Sequence, residues 1–149
     1  MQVVYPFLMH NPRLARDVID YALTRRAVLV ELFRGSSHFS SACDADPYLR
    51  SAAKYHGEPT TRKCPVCRRK ELVELRYTFG DELGQYSGRI KSKEEIVEMA
   101  NLHGEFRVYT VEICPDCGWN HLVNSFLLGD GVPRKAPRRV RTLEDEWKR

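Results

Sequence analysis

The chain has 149 residues, 42% of them hydrophobic and 30% charged, with a formal net charge of +4. That length suits one domain, or a small domain with an extra lobe, and the modest core it can build leaves room for a metal to supplement it. No run approaches the roughly 20 apolar residues of a membrane span, and Met1–His10 lacks the basic start of a signal peptide, so a soluble cytoplasmic protein is expected.

The first ten residues are short and apolar and carry little signal. Asn11-Pro12 supplies an N-cap followed by Pro at the first helical position. Leu14, Val18, Tyr21, Ala22, Leu29 and Leu32 follow at helical spacing, which predicts a helix from about Pro12 to Phe33, stopped by Gly35. Arg25-Arg26 reads as its solvated side. A loop over residues 36–46 holds Cys43, which reads as a small buried hydrophobe ahead of a fifth ligand or a reactive thiol. Asp46-Pro47 repeats the cap signal and starts a second, short helix ending at His56, with Gly57 after it. Asp44 reads as a loop acid, Asp46 as a cap, and His56 as a last-turn cation or core contact.

Glu58–Thr61 reads as a linker. Val73, Leu75, Tyr77 and Phe79 alternate with Glu74, Arg76 and Thr78, the pattern of a half-buried strand. A polar, Gly-rich loop follows. Ser92 with Glu95 forms a capping box for a helix ending near His103-Gly104. Phe106–Ile113 and Trp119–Leu128 read as further strands, with Tyr109 and Trp119 at least partly buried.

Two dithiol pairs organise this middle region. Cys64-Pro65-Val66-Cys67 and Cys114-Pro115-Asp116-Cys117 share the spacing Cys-Pro-x-Cys, each beside a strand. Two residues between cysteines let both sulfurs face one ion while backbone N–H groups bond them. Pro fixes φ at the start of each turn, and Gly118 follows where a left-handed backbone is often needed. Four thiolates in two such pairs form the closed tetrahedral shell of one structural Zn²⁺. In a reducing compartment paired cysteines mean metal more often than disulfides. The 46 residues between the pairs (68–113) exceed the ~15–20 of a minimal zinc ribbon, so a helix is inserted between its strands.

The expected fold is therefore α+β: a three-stranded antiparallel zinc ribbon with an inserted helix, preceded by two N-terminal helices. Residues 1–57 form the helical part, 58–129 the ribbon domain and 130–149 a basic, flexible tail. Residues 132–141 hold five basic residues and no acid, and the stretch 129–149 counts seven basic and four acidic residues, a net +3 of the chain's +4. Such a tail suits an acidic partner or nucleic acid better than a core.

The runs Cys43–Leu49, Ala53–Gly57, Cys64–Cys67, Phe79–Asp81, Trp119–Val123 and Leu128-Gly129 resemble a small actinobacterial zinc-ribbon family catalogued as a domain of unknown function. The resemblance covers roughly residues 14–130. It implies a cytoplasmic actinobacterial protein and carries no activity with it.

Three functional classes follow. The leading expectation is a non-enzymatic accessory factor that binds RNA polymerase, argued from the recurrence of zinc ribbons in transcription. Arg68, Arg69 and Lys70 around the first knuckle, joined there by Arg62 and Lys63, and Arg134, Lys135, Arg138, Arg139 and Arg141 in the tail would contact the partner, with non-specific nucleic-acid contact through the tail. A ribosome- or RNA-binding zinc protein is the variant of this class. The second class is a thiol-based redox-sensing zinc switch. An enzyme is the third: His38, His56, His103 and His121 lack the spacing of a catalytic set, and no small-molecule substrate is expected.

Overall fold

The computed structural model describes residues 15–35 and 42–138. In chain order these form β1 (Arg16–Asp20), α1 (Ala22–Phe33), α2 (Pro47–His56), β2 (Glu58–Lys63), β3 (Glu71–Phe79), a 3₁₀ turn (Asp81–Tyr86), β4 (Arg89–Ile90), α3 (Lys93–Leu102), β5 (Phe106–Ile113) and β6 (Asn120–Leu128). The strands make one antiparallel sheet in the order β1-β6-β5-β3-β2. β2 and β4 share the outer edge of β3, β2 beside its start and β4 beside its end. Among the described residues, no helix is long and apolar enough to cross a membrane.

The sheet is wider than the three strands expected, because two segments read otherwise are edge strands. Arg16–Asp20 lies inside the stretch predicted as helix from Pro12 to Phe33, yet it pairs with β6, and the helix begins only at Ala22. All five of its residues are exposed, so no apolar periodicity marks it. Its backbone pairing holds it in place, with a bulge between Arg16 and Ile19 where Asp17 takes φ 49°. The Ala22 N–H then bonds Asp20 Oδ1 at 2.8 Å where the chain turns into α1. Glu58–Thr61 is likewise no linker. It opens β2, whose Pro59 fits only an edge.

Each face of the sheet is covered differently. On one face Val73, Leu75, Tyr77 and Ile113 meet Leu49, Ala52 and Ala53 of α2. Asp46 caps α2 by accepting the Leu49 N–H at 2.8 Å, with Pro47 in its first turn. Gly57 ends that helix in an extended conformation (φ −62°), not the left-handed one a C′ glycine often takes. Glycine is required there because a Cβ would strike the Ala53 carbonyl and the Val73 side chain. The rest of this face stays open as a groove of about 700 Å³, lined by Tyr77, Phe79, Arg107, Tyr109 and Leu122 among others. On the other face Phe106, Val108, Phe126 and Leu128 pack under Ile96 and Ala100 of α3 and Leu83 of the 3₁₀ turn.

This double cover inverts part of the expected alternation. Arg76 and Thr78, read as the polar side of β3, are buried, while Phe79, read as core, is 43% exposed. α2 covers one face of β3 at Val73 and Leu75 while Arg76 and Thr78 are buried on the other, and Phe79 falls beyond that cover at the strand's end.

The helix inserted between β3 and β5 starts as its capping box predicts. The Glu95 N–H bonds Ser92 Oγ at 3.2 Å, and the Ser92 N–H bonds Glu95 Oε2 at 2.7 Å. The donated Ser92 N–H lowers the Glu95 carboxyl below its ordinary value. Ser92→Ala is expected to cost about 1 kcal/mol, read as a fall of roughly 2–4 °C in Tm. The Glu95 half of the box is present above the ordinary carboxylate range and is lost as pH falls through its lowered value, but its donor is the backbone N–H that Ser92→Ala keeps, so the deficit should be nearly the same in acid.

Candidate metal centre

The two dithiol pairs occupy the turns of two hairpins, β2–β3 and β5–β6. β3 pairs with β5 in the register Val73↔Ile113, so both turns fall at the same end of the sheet. The four Sγ atoms of Cys64, Cys67, Cys114 and Cys117 all lie within 4.8 Å of one another. The Cys64–Cys117 and Cys67–Cys114 separations are both 3.6 Å.

The knuckles are built alike. In the first, the Arg68 N–H bonds the Cys64 carbonyl at 3.1 Å and the Cys64 N–H bonds the Lys70 carbonyl at 2.9 Å. In the second, the Gly118 N–H bonds the Cys114 carbonyl at 3.2 Å and the Cys114 N–H bonds the Trp119 carbonyl at 2.8 Å. The residue four places after the first cysteine is left-handed in both: Gly118 at φ 86°, as expected, and Arg68 at φ 56°. Arg69 Nε reaches Asp116 Oδ2 at 2.9 Å and ties one knuckle to the other.

Cys64 and Cys114 are buried, while Cys67 and Cys117 are half-exposed. Burial pushes the Cys64 thiol and the Cys117 thiol each up to about 12. Burial acts on Cys67 in the same direction, but the N–H groups of Arg69 and Lys70 and its thiol neighbours outweigh it and lower that thiol to about 6. The set thus offers a ready thiolate beside thiols that shed their protons when a cation replaces them. Soft donors in a tetrahedral set suit zinc or an iron–sulfur centre, not a hard cation.

Directly behind the knuckles lies a feature that the sequence reading missed. Glu112, two residues before Cys114, is fully buried. Its carboxylate accepts Arg25 Nε at 2.5 Å, Arg62 Nη1 at 2.8 Å and Trp119 Nε1 at 3.1 Å. Arg62 continues to Glu74 at 2.6 Å, Arg76 bridges Glu74 at 2.9 Å and Glu58 at 2.5 Å, and Lys93 lies 3.7 Å from Glu58. Three Glu, three Arg and a Lys therefore cross the sheet as a ladder of alternating charge. The available signal was phase: Glu112 stands in register with Phe106 and Val108, an acid on the inward side of an alternating strand. Arg25 is correspondingly no solvated-face residue, although Arg26 is exposed.

Of the basic residues expected to meet a partner, Arg62 is committed to this ladder. Arg68, Arg69 and Lys70 are exposed at the first knuckle. Arg134 folds back: its N–H bonds Glu82 at 2.6 Å and its guanidinium pairs with Asp130 at 2.6 Å. Lys135 and Arg138 are exposed, and Arg139 and Arg141 lie outside the described residues, as does His38. The three described histidines have local roles. His121 stacks on Trp119 at 5.9 Å with Nδ1 2.7 Å from the Leu122 carbonyl, His103 packs edge-on against Phe106, and His56 ends α2. Trp119 is buried and Tyr109 half-buried.

The family of unknown function DUF5318 has a model that matches residues 12–142. Uncharacterized protein Mb0050 of Mycobacterium bovis and uncharacterized protein Rv0049 of Mycobacterium tuberculosis are each 44% identical to the chain over 120 residues, covering 80% of it and 88% of their own length. No solved structure matches the chain.

Proposed function

The chain belongs to the DUF5318 family and is similar to uncharacterized mycobacterial proteins, and from that footing we propose that it is a non-enzymatic zinc-ribbon protein whose metal is structural. The observation that carries this is the convergence of four thiols from two hairpin turns at one end of a sheet. A tetrahedral ion with sulfur at about 2.3 Å has sulfur–sulfur edges of about 3.8 Å. The 3.6 Å separations of Cys64–Cys117 and Cys67–Cys114 fit that figure. Zn²⁺ held by Cys64, Cys67, Cys114 and Cys117 has no open position, so it cross-links the hairpins and activates no water.

In this reading the ribbon is the rigid body of a binding module. Arg68, Arg69 and Lys70 form one basic edge beside the metal, and the residues after Arg134 provide a second. RNA polymerase is the partner to test first, on the recurrence of such ribbons in transcription factors and the concentration of charge in the tail. Elemental analysis of protein purified without chelator should return one zinc per chain and no iron. Iron, or protein lacking metal with four free thiols, overturns the zinc reading.

The tail is tested separately, by native pull-down with and without residues 135–149. Cutting after Arg134 keeps its bonds to Asp130 and Glu82, so zinc content and helicity should be unchanged. Capture should fall and become less salt-dependent as Lys/Arg contacts are lost. If the truncated chain captures polymerase as well as the full one, the tail has no part in binding. If neither captures it, the polymerase assignment is wrong.

A further inference from the structure

The fifth cysteine lies against the metal centre. Cys43 Sγ is 3.6 Å from Cys117 Sγ, as close as the ligand sulfurs are to one another. The loop that carries it is pinned to the second knuckle: the Ala45 N–H bonds the Gly118 carbonyl at 3.1 Å, and Asn120 Nδ2 bonds Asp44 Oδ1 at 2.9 Å. Cys43 also packs in the apolar cluster of Leu32, Ala42 and Trp119. Cys43 and Cys117 are both half-exposed, whereas Cys64 and Cys114 are buried. A small oxidant therefore reaches this pair before it reaches the two buried ligands.

We propose that Cys43 and Cys117 form a peroxide-driven release latch on the zinc site, an inference that rests on the zinc reading above. One of the two sulfurs attacks the O–O bond of hydrogen peroxide. It becomes a sulfenic acid, and the departing oxygen leaves as water. The second sulfur attacks the sulfenic sulfur, forming the S–S bond and expelling the oxygen as a second water. Two electrons pass from the sulfurs to the peroxide. The Cys43 thiol supplies one proton and solvent another, because Cys117 enters as a zinc-bound thiolate. Closing the sulfurs to the ~2.05 Å of a disulfide withdraws Cys117 from the metal. Three thiolates and an open position remain, and the ion becomes exchangeable. Reduction by a dithiol restores Cys117 and the closed shell.

The test uses zinc-loaded full chain treated with hydrogen peroxide. Released zinc is read by a chromogenic chelator and disulfide pairing by peptide mass spectrometry. The wild type should release its zinc with Cys43–Cys117 as the main linkage, reversed by dithiothreitol. Cys43→Ser and Cys43→Ala should keep one zinc per chain and release it at least roughly tenfold more slowly. The Ala variant guards against a folding defect from a hydroxyl in the apolar cluster. Zinc-loaded variants that release at the wild-type rate, or linkages that are mainly Cys64–Cys67 or Cys114–Cys117, overturn the latch and leave the zinc reading intact. Wild-type protein without zinc before peroxide is added overturns both.

Discussion

Cys114→Ser should abolish zinc binding and unfold the metal end of the sheet. Cys114 is buried and makes two kinds of contact: its sulfur faces Cys67 at 3.6 Å, and its backbone fixes the second knuckle through Trp119 and Gly118. A serine hydroxyl is not ionised at neutral pH and is a poor ligand for a soft-donor site. Because a preformed site rarely exists in the unfolded chain, metal binding is part of the folding free energy, and apparent values for structural zinc reach about 10–16 kcal/mol. Losing that contribution is comparable to the whole ~5–15 kcal/mol by which domains are stable. The expected result is no zinc by elemental analysis and loss of the Trp119 environment in near-UV circular dichroism. Acid should act in the same direction, since protons compete with the metal for the thiolates. A Cys114→Ser chain that keeps one zinc and native stability would remove the four-thiol assignment.

The second large effect is expected behind the metal. Replacing Arg25 and Arg62 together by Ala should destabilise the zinc-loaded protein by about 3–5 kcal/mol in urea, the cost of leaving a buried charge without its partners. Removing the acid should cost less. Arg25 and Arg62 are 28% and 45% exposed and can turn toward water, whereas Glu112 is fully buried. Glu112→Gln keeps an acceptor for Trp119 Nε1 and carries no charge to strand. Added to the Arg25→Ala/Arg62→Ala chain, it should therefore restore part of the lost stability. If it lowers stability further, uncompensated charge is not the cause, and the arginines act through packing of their stems.

The clustering of the four cysteines was legible because its signal is local. Two Cys-Pro-x-Cys turns need no knowledge of the fold to be paired. The Asp46 cap and the Ser92–Glu95 box were legible for the same reason, as each is a contact across three residues. The edge strands were not. β1 is held by backbone bonds to β6 at the far end of the chain and β2 by bonds to β3 across the first knuckle, and neither has an apolar face. A pattern of side chains is silent about them. Glu112 fell between the two cases. Its inward phase could be read, but its partners Arg25 and Arg62 stand 87 and 50 residues away. Only the sheet order brings them together. The burial of Thr78 and the exposure of Phe79 likewise depend on α2 and α3 settling on opposite faces of the sheet, so the two exchanged their expected places.

The insertion between the two hairpins has a consequence for how the chain can vary. A metal joining Cys67 to Cys114 closes a loop holding the 46 residues 68–113. By the relation used for covalent cross-links, tying such a loop removes denatured-state entropy worth about 4 kcal/mol at 25 °C. That penalty grows only with the logarithm of loop length, about 0.6 kcal/mol for each doubling. The exposed connections between β3 and β5 can therefore lengthen or shorten at little entropic cost, provided the two strands keep their register and Leu83, Ile96 and Ala100 keep their places in the core. The knuckles act as fixed ends, and between them it is the length of the exposed connections that is free to diverge.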